Sequence, residues 1–137
     1  MTKSAVTYIN PPSAPPVQGM YSHVARAGEL AFIAGQVAID VRGNPVGVGD
    51  LAAQVDQVFE NLGNILKDLG TDFESVVQFT TYLTKAESIP TWMSARGEVF
   101  PKLFSGGKYP PNTLLVIDRL VKPEFMIEIE AIAHVPK

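Results

Sequence analysis

Two carboxylates near the end of the chain have the residue type and the spacing for acid–base chemistry. Glu128 and Glu130 belong to the segment 126–135, in which two kinds of side chain alternate with the period of a β-strand. The face opposite the glutamates is wholly apolar, with Ile127, Ile129, Ala131, Ala133 and Val135. An unpaired buried carboxylate is costly or has a raised pKa. The glutamate face is therefore solvated, as on an exposed edge strand, or its carboxylates have partners, or one of them does chemistry.

Other signatures of reactive sites are missing from the sequence. His23 and His134 are far apart and form no metal-ligand pattern, so we expect both to be structural, hydrogen-bonded or exposed, and we expect no metal site. The sequence contains no G-x-G-x-x-G, P-loop or G-x-S-x-G motif. We therefore expect no cofactor.

The composition narrows the class of protein. The chain has 137 residues, no cysteine and a formal net charge of −3, which suits one domain, 1–137. Lysine and arginine form no cluster, which disfavours a nucleic-acid partner. No apolar run approaches the ~18 residues of a membrane span, and no secretory signal follows the opening residues. The lack of cysteine excludes disulfides and suits a cytoplasmic location.

The order of elements follows from hydrophobic periodicity and from turn residues. Gly28 and Glu29 form the expected turn of a first hairpin. The predicted elements are, in order, a short edge strand near 6–8, strands at 21–27 and 30–37, a helix at 50–70, a strand at 76–83, a helix starting at 88, and strands at 113–120 and 126–135.

The first helix has the clearest period in the chain. Asp50 is its expected N-cap and Gly70 its expected end. Gly63 in its middle costs about 1 kcal/mol against alanine, and close packing onto a sheet would be a reason to tolerate it. The apolar residues recur at spacings of three and four, at Leu51, Val55, Val58, Leu62, Ile65 and Leu69.

The second helix is predicted from its ends as much as from its period. Ser88 is the expected cap, with Pro90 in the first turn, and Pro101 is expected to end or kink the helix. The residues expected on its apolar face are Ile89, Trp92 or Met93, Phe100 and Phe104.

Two helices cover only one face of such a sheet, so the expected fold class is a two-layer α+β domain with a mixed sheet. The second face carries Glu128 and Glu130 beside Met126 and Ile132. A face of this composition is a poor solvent surface, and other subunits would cover it economically. This argument disfavours the exposed-edge reading of the last strand.

Several segments of the sequence resemble the RidA (YjgF) family. They are residues 21–28, residues 30–36 with the closing Gly35-Gln36 pair, and residues 61–66, 80–84 and 127–133. They occur in the family's order and extend over about residues 20–135. The resemblance implies a chorismate-mutase-like fold and a homotrimer, in which the sheets form an inner barrel, the helices lie outside and ligand clefts lie between subunits.

The resemblance also implies an activity. RidA proteins hydrolyse reactive imines and enamines, such as 2-aminoacrylate, to a 2-oxo acid and ammonia, and an arginine in a Pro-x-Arg motif holds the substrate carboxylate. By this resemblance Glu128 is the catalytic residue, holding the water or donating a proton. Apolar neighbours should raise its pKa. The implied substrate-binding residues are Tyr21, Gly35, Gln36, Asn112 and Thr113. Tyr21 either caps the cleft or packs in the core, and Glu130 is expected at a structural contact with an interface partner.

The sequence departs from the family pattern at three positions. Asn112 stands where the family has its arginine, Ala34 where it has a serine, and Gly97 aligns loosely with an asparagine of the second helix. This resembles arginine-lacking branches of the family, which include an aminomuconate-type deaminase. An anion would then be held by a cation (Arg96, Arg119 or Lys108) or by backbone amides around Gly35 and Thr113, unless the substrate lacks a carboxylate at that end.

Three functions follow as hypotheses. The first is a deaminase-type hydrolase that acts on an imine or enamine. The second is a homotrimer that binds a small molecule or a partner without catalysis, which the asparagine at 112 and the alanine at 34 would allow. The third is a ribonuclease, which the acidic net charge disfavours.

Overall fold

The computed structural model describes residues 5–136. Residues 1–4 and 137, the two ends of the predicted domain 1–137, lie outside the described residues. The strands are β1 (Val6–Ile9), β2 (Val24–Ala27), β3 (Leu30–Gln36), β4 (Val76–Leu83), β5 (Asn112–Val116) and β6 (Ile127–His134). The helices are α1 (Leu51–Asp68) and α2 (Ile89–Leu103), with single 3₁₀ turns at Phe73–Ser75 and Ala86–Ser88. The predicted order of strands and helices is confirmed.

The six strands form one mixed sheet in the order β1-β2-β3-β6-β4-β5. The β4 and β5 strands are parallel, and every other neighbouring pair is antiparallel. The last strand, β6, therefore lies in the middle of the sheet, and the exposed-edge reading of this strand was wrong. Its alternation is confirmed, because Ile127 and Ile129 are fully buried while Glu128 and Glu130 are only partly buried.

Helix α1 packs its apolar stripe onto the sheet and begins and ends as predicted. The Asp50 side chain accepts a hydrogen bond from the backbone N–H of Ala53 at 3.1 Å, and Gly70 takes a φ of 80° just after the helix. The reason for Gly63 differs from the prediction. A Cβ there would lie 3.1 Å from the ring of Phe73, so Gly63 makes room for the following 3₁₀ turn and not for the sheet.

Helix α2 attaches to this layer through aromatic rings. Trp92 is fully buried and stacks on Phe59 of α1 at 6.3 Å, and Phe100 packs against Phe79 of β4 at 5.8 Å. Ser88 precedes the helix, but its side chain makes no capping hydrogen bond because its backbone is already helical. Pro101 does not end α2, which continues for two residues to Leu103. A proline in the last turn removes only one helical hydrogen bond.

Four strands are shorter than predicted. The predicted segments 21–27, 30–37, 113–120 and 126–135 correspond to the shorter strands β2, β3, β5 and β6, and β5 begins one residue earlier than predicted. The β5 strand is the clearest case, because its partner β4 ends at Leu83. The last bond between them runs from the Ile117 N–H to the Leu83 carbonyl, and the chain beyond it has no partner strand.

Both helices lie on the same side of the sheet, which gives two layers. The other side, called here the open face, carries large apolar side chains that are substantially exposed. The exposed fractions are 70% for Tyr8, 43% for Phe32, 39% for Leu30 and 39% for Leu115. Within residues 5–136, neither helix is long and apolar enough to cross a bilayer.

Candidate functional site

Glu128 lies in a place that only a glycine neighbour allows. The β3 strand shifts register between Ile33 and Gln36, so it bulges where Glu128 of β6 passes it. A Cβ built on Gly35 would overlap the Glu128 carboxylate and lie 2.7 Å from its Cγ. Gly35 does not have a positive φ, so the position requires glycine for space and not for backbone conformation.

The Glu128 carboxylate borders a cleft of about 240 Å³. This Glu128 cleft brings together four of the predicted site residues: Tyr21, Gly35, Gln36 and Glu128. Tyr21 is 48% exposed, so the alternative of core packing was wrong for this residue. Its hydroxyl accepts a hydrogen bond from the Gln18 N–H at 3.1 Å. Tyr21 also borders a second, shallower depression on the open face that contains Phe32 and Glu130.

One wall of the Glu128 cleft is a buried histidine with both ring nitrogens engaged. His23 Nε2 donates to the Pro15 carbonyl at 2.6 Å, because a carbonyl only accepts. The Gln36 amide N–H groups donate to the Ala34 carbonyl at 3.0 Å and to His23 Nδ1 at 3.1 Å. These partners favour the tautomer with the proton on Nε2, and they confirm the hydrogen-bonded structural role predicted for His23.

The two glutamates of β6 have different surroundings. Burial is the main cause that raises the pKa of Glu128, and the charge of Glu130 adds to it, so the direction predicted from the sequence is confirmed. Glu130 accepts a hydrogen bond from the Tyr82 hydroxyl of the neighbouring strand. This bond raises the pKa of Tyr82 to about 12, with burial and the two carboxylates contributing further. Glu130 thus has a partner within its own chain.

Two buried amides of α1 hold the loops around the Glu128 cleft. Asn61 donates to the carbonyls of Val37 and Ile39 at 3.1 and 2.9 Å. Gln54 donates to the Glu124 carbonyl at 2.9 Å and accepts from the Met126 N–H at 2.8 Å, next to the start of β6.

The sequence interpretation missed Gln54 and Asn61. Both are about 1% exposed although they are polar. Their burial could have been predicted from the sequence. Each stands directly before an apolar residue of the α1 stripe, Val55 or Leu62, and therefore lies towards the buried side of the helix.

The remaining two predicted site residues lie elsewhere. Asn112 pairs with Phe79 in the β4–β5 register and so points to the helix side of the sheet, opposite to Glu128. It borders a groove of about 340 Å³ that also contains Arg96, Gly97, Phe100, Tyr109 and Pro110. Thr113 pairs with Thr80, on the open face, but does not border the Glu128 cleft. Within one protomer, Asn112 and Glu128 therefore lie on opposite sides of the sheet.

The three candidate cations differ in their surroundings. Arg96 borders the groove of Asn112. Arg119 folds back onto its own backbone, donating to the carbonyls of Leu120 and Val121 at 3.0 and 3.1 Å. Lys108 is exposed and does not border that groove. Within residues 5–136, no three histidine, aspartate or glutamate side chains cluster closely enough to hold a metal ion.

Comparisons with known proteins agree with this fold. The sequence model of the endoribonuclease L-PSP family matches residues 11–135. Because the match extends over nearly the whole chain, the protein belongs to this family, which is the RidA (YjgF) family. The solved structure of yeast Mmf1 superimposes with a TM-score of 0.82 at 26% identity, covering 96% of this chain and 99% of Mmf1.

Curated relatives span the same length. The RutC family protein PH0854 of Pyrococcus horikoshii is 35% identical over 122 residues, which is 89% of this chain and 92% of the relative. The 3-aminoacrylate deaminase RutC of Acinetobacter baylyi is 30% identical, covering 93% and 96%. The 2-iminobutanoate/2-iminopropanoate deaminase of Rattus norvegicus is 31% identical, covering 91% and 87%.

Proposed function

We propose that this protein is a hydrolase of the deaminase type, which converts an imine or enamine and water into a carbonyl compound and ammonia. The observation that carries the proposal is the Glu128 carboxylate, half-buried in a cleft that Gly35 keeps open for it, with a pKa raised by burial. Because the raised pKa increases the protonated fraction of the carboxyl group, Glu128 can donate a proton as well as accept one. Two relatives that span this chain are named as deaminases of such substrates.

The reaction assigns Glu128 a proton donation and a proton uptake in each of its two stages, water addition and ammonia loss. As water adds to the carbon of the C=N bond, the protonated Glu128 donates its proton to the nitrogen, and the carboxylate then takes one proton from the attacking water. The resulting carbinolamine collapses: the protonated Glu128 donates its proton to the nitrogen, the C–N bond breaks, ammonia leaves, and the carboxylate takes the hydroxyl proton. The carbonyl compound remains and Glu128 is protonated again. An enamine enters this sequence after protonation at carbon gives the imine.

The assembly proposed for this chemistry is a homotrimer of chorismate-mutase-like subunits, each a single domain over residues 1–137. The open face would line an inner barrel, which agrees with the exposure of its apolar side chains. Asn112 and Glu128 lie on opposite sides of the sheet in one chain. A cleft between subunits allows Asn112 and Thr113 of one chain to join Tyr21, Gly35, Gln36 and Glu128 of the next. A cytoplasmic location stays a prediction.

A second candidate function is a homotrimer that binds a small molecule or partner without turning it over. The neutral Asn112, in the position where an arginine is expected by resemblance to the RidA family, favours it, as does Ala34 in place of a serine. The same two residues support the proposal that the chain belongs to an arginine-lacking branch with an altered substrate. A ribonuclease is disfavoured by the net charge of −3 and the lack of a basic cluster.

The test is imine hydrolysis in the presence of a competing trap. An amino-acid oxidase generates 2-imino acids in situ, and semicarbazide captures whatever imine is not hydrolysed. We expect the wild-type protein to lower the yield of the trapped product and to speed ammonia release, and the Glu128→Gln variant to have lost this effect while remaining folded, with a melting temperature no lower than that of the wild type. No acceleration over buffer across several imines and enamines would contradict the proposal, and a ligand that stabilises the protein without being turned over would favour the second candidate.

A further inference from the structure

The Gln36 side chain in the wall of the Glu128 cleft has a fixed direction. It is 3% exposed, and its Nε2 group donates to the Ala34 carbonyl at 3.0 Å and to His23 Nδ1 at 3.1 Å. Because a carbonyl oxygen only accepts, the contact with Ala34 decides which end of the amide is the NH₂ group. Both N–H donors of Gln36 therefore have partners, and only its Oε1 remains for a ligand.

The Oε1 atom of Gln36 is an acceptor without a donor. Within residues 5–136, no N–H or O–H group donates to it. Among the fully enclosed side-chain nitrogens and oxygens of the described residues, only Trp92 Nε1 lacks a partner. Gln36 Oε1 is therefore not fully enclosed, and the Glu128 cleft, which Gln36 borders, is where a ligand reaches it.

His23 fixes the amide of Gln36 from the other side. The ring donates from Nε2 to the Pro15 carbonyl at 2.6 Å, which leaves Nδ1 as an acceptor for Gln36. The backbone of His23 is held as well, since its N–H donates to Asn10 Oδ1 at 2.9 Å and its carbonyl accepts from the Ala34 N–H at 2.8 Å. A reversed Gln36 amide would place Oε1 against two acceptors, so the ring keeps Oε1 directed at the cleft.

We infer that Gln36 Oε1 accepts a hydrogen bond from an N–H group of the substrate, and that His23 is a positioning residue that keeps this acceptor aimed at the cleft. The inference rests on the proposed function and deepens it, because it assigns the recognition of the reacting nitrogen. Glu128 and Gln36 border the same cleft of about 240 Å³, so one small nitrogen group can contact both. Glu128 protonates the nitrogen, and the N–H already present on it donates to Gln36.

This hydrogen bond strengthens as the reaction proceeds. Protonation by Glu128 turns the imine into an iminium ion, whose N–H is a charged and therefore stronger donor. An interaction that is stronger in the transition state than in the bound substrate raises kcat. The carbonyl product has no N–H, and its oxygen meets another acceptor at Gln36, which favours its release.

Hydrolysis of two matched imines tests the acceptor. They are the same imine with N–H or N–CH₃, generated in situ by oxidases that act on an amino acid and on its N-methyl derivative. We expect the wild-type protein to prefer the N–H imine. Gln36→Leu should lose this preference and lower kcat on the N–H imine by about 10- to 100-fold, the range for a lost hydrogen bond to a charged group. Gln78→Leu, at an exposed position of β4, is the matched control and should behave as wild type.

Variants of His23 separate positioning from folding. His23→Leu should lower kcat and weaken the preference, whereas His23→Gln, which keeps one donor and one acceptor, should restore most of both. The ¹⁵N NMR signals of the wild-type ring should show a protonated Nε2 and an unprotonated Nδ1. His134→Leu, at an exposed histidine, is the control. An unchanged preference in Gln36→Leu would overturn the acceptor role; if that variant does not fold, equal wild-type rates on the two imines would do so.

A ligand that is not turned over distinguishes failure of the acceptor from failure of the hydrolase. The probe is acetamidinium, a stable planar cation with N–H groups, and acetone is the comparison ligand. In NMR titrations the wild-type protein should bind acetamidinium more tightly than acetone, and Gln36→Leu should weaken this binding by about 10-fold. If acetamidinium binding depends on Gln36 but no imine is hydrolysed, the hydrolase fails and the acceptor stands. If imines are hydrolysed without the N–H preference, the acceptor fails and the hydrolase stands.

Discussion

The side chain of Glu128 crosses the backbone of Gly35 so closely that no side chain fits at that glycine. The backbone of Gly35 has no positive φ, so alanine could adopt it, and the conflict lies only with the carboxylate. Glu128 and the register shift in β3 thus form one structural unit, and the glycine is a steric requirement of the candidate site.

Gly35→Ala should therefore remove activity without unfolding the chain. The added methyl group would displace the Glu128 carboxylate, and a shift of about 1 Å in a catalytic group costs on the order of 100-fold in rate. The measurement is kcat/KM for imine hydrolysis together with a thermal melt. Gly106→Ala is the control, because no heavy atom lies within 4 Å of a Cβ there. Wild-type kinetics in Gly35→Ala would contradict the role given to Glu128.

The pair of Tyr82 and Glu130 predicts a shift in the pH–rate profile. The charge of Glu130 contributes to the raised pKa of Glu128. In Glu130→Gln this contribution is lost, so the pKa of Glu128 falls and the limb of the profile due to Glu128 moves to lower pH. The limb moves to lower pH in both possible cases: if activity falls as Glu128 loses its proton, or if activity rises as Glu128 loses its proton. Glu98→Gln, which removes a carboxylate from the exposed side of α2, should leave the limb in place; a shift of the Glu130→Gln limb to higher pH would contradict the argument.

The raised pKa of Glu128 also predicts a dependence of stability on pH. Since the pKa is higher in the folded chain than its usual value of 4.5, the fold favours the protonated group. This contribution is complete below the unfolded pKa and is lost as the pH rises through the folded one. Glu128→Gln, a neutral group of the same shape, should thus raise the melting temperature at about pH 8 by a few degrees and leave it nearly unchanged at about pH 4. An equal gain at both values would indicate another cause.

Asn61 should be a stability residue whose loss also affects the cleft. Asn61→Ala leaves the buried carbonyls of Val37 and Ile39 without their donor, which costs about 1–3 kcal/mol per group. The measurement is the free energy of unfolding in urea. Asn64→Ala is the matched control on the same helix, because Asn64 makes no side-chain hydrogen bond within residues 5–136, and its effect should stay within about 0.5 kcal/mol. Equal effects of the two substitutions would refute the anchoring role.

The parts of this structure that the sequence predicted are those with a local period. The α1 stripe and the β6 alternation each repeat over several turns or residues, so burial of one face followed directly from the pattern. The end of β5 could not be predicted from the local sequence, because it depends on where its partner strand β4 ends. The anchoring bonds of Gln54 join residues 70 and 72 positions apart, and no window of sequence contains both ends.

The residues of the candidate site also divide into those that a local pattern predicted and those that it did not. Glu128 could be predicted from the sequence, as a carboxylate on a strand with an apolar face. The grouping of Asn112 with Thr113 ignored the strand period, since consecutive strand residues point to opposite faces. The structure places them accordingly, with Asn112 on the helix side and Thr113 on the open face.

The open face makes the most direct prediction about assembly. Phe32 is 43% exposed and lies opposite Ile132 of β6 and Ala25 of β2, in the apolar part of this face. If three subunits pack these faces together, Phe32→Asp places a charge in each interface and should shift the protein from trimer to monomer. Light scattering should give about three times the chain mass of 14.8 kDa for the wild type and about one for the variant.

The control for this prediction is an equally drastic change at an exposed apolar residue away from the sheet. Val48, 66% exposed in the loop before α1, serves this purpose, and Val48→Lys should remain trimeric. Circular dichroism would establish that Phe32→Asp keeps its helices and strands. A trimeric Phe32→Asp variant would show that the open face is not the subunit interface. The clefts that unite Asn112 with Glu128 would then have to form in another way, because one chain holds these two residues on opposite sides of its sheet.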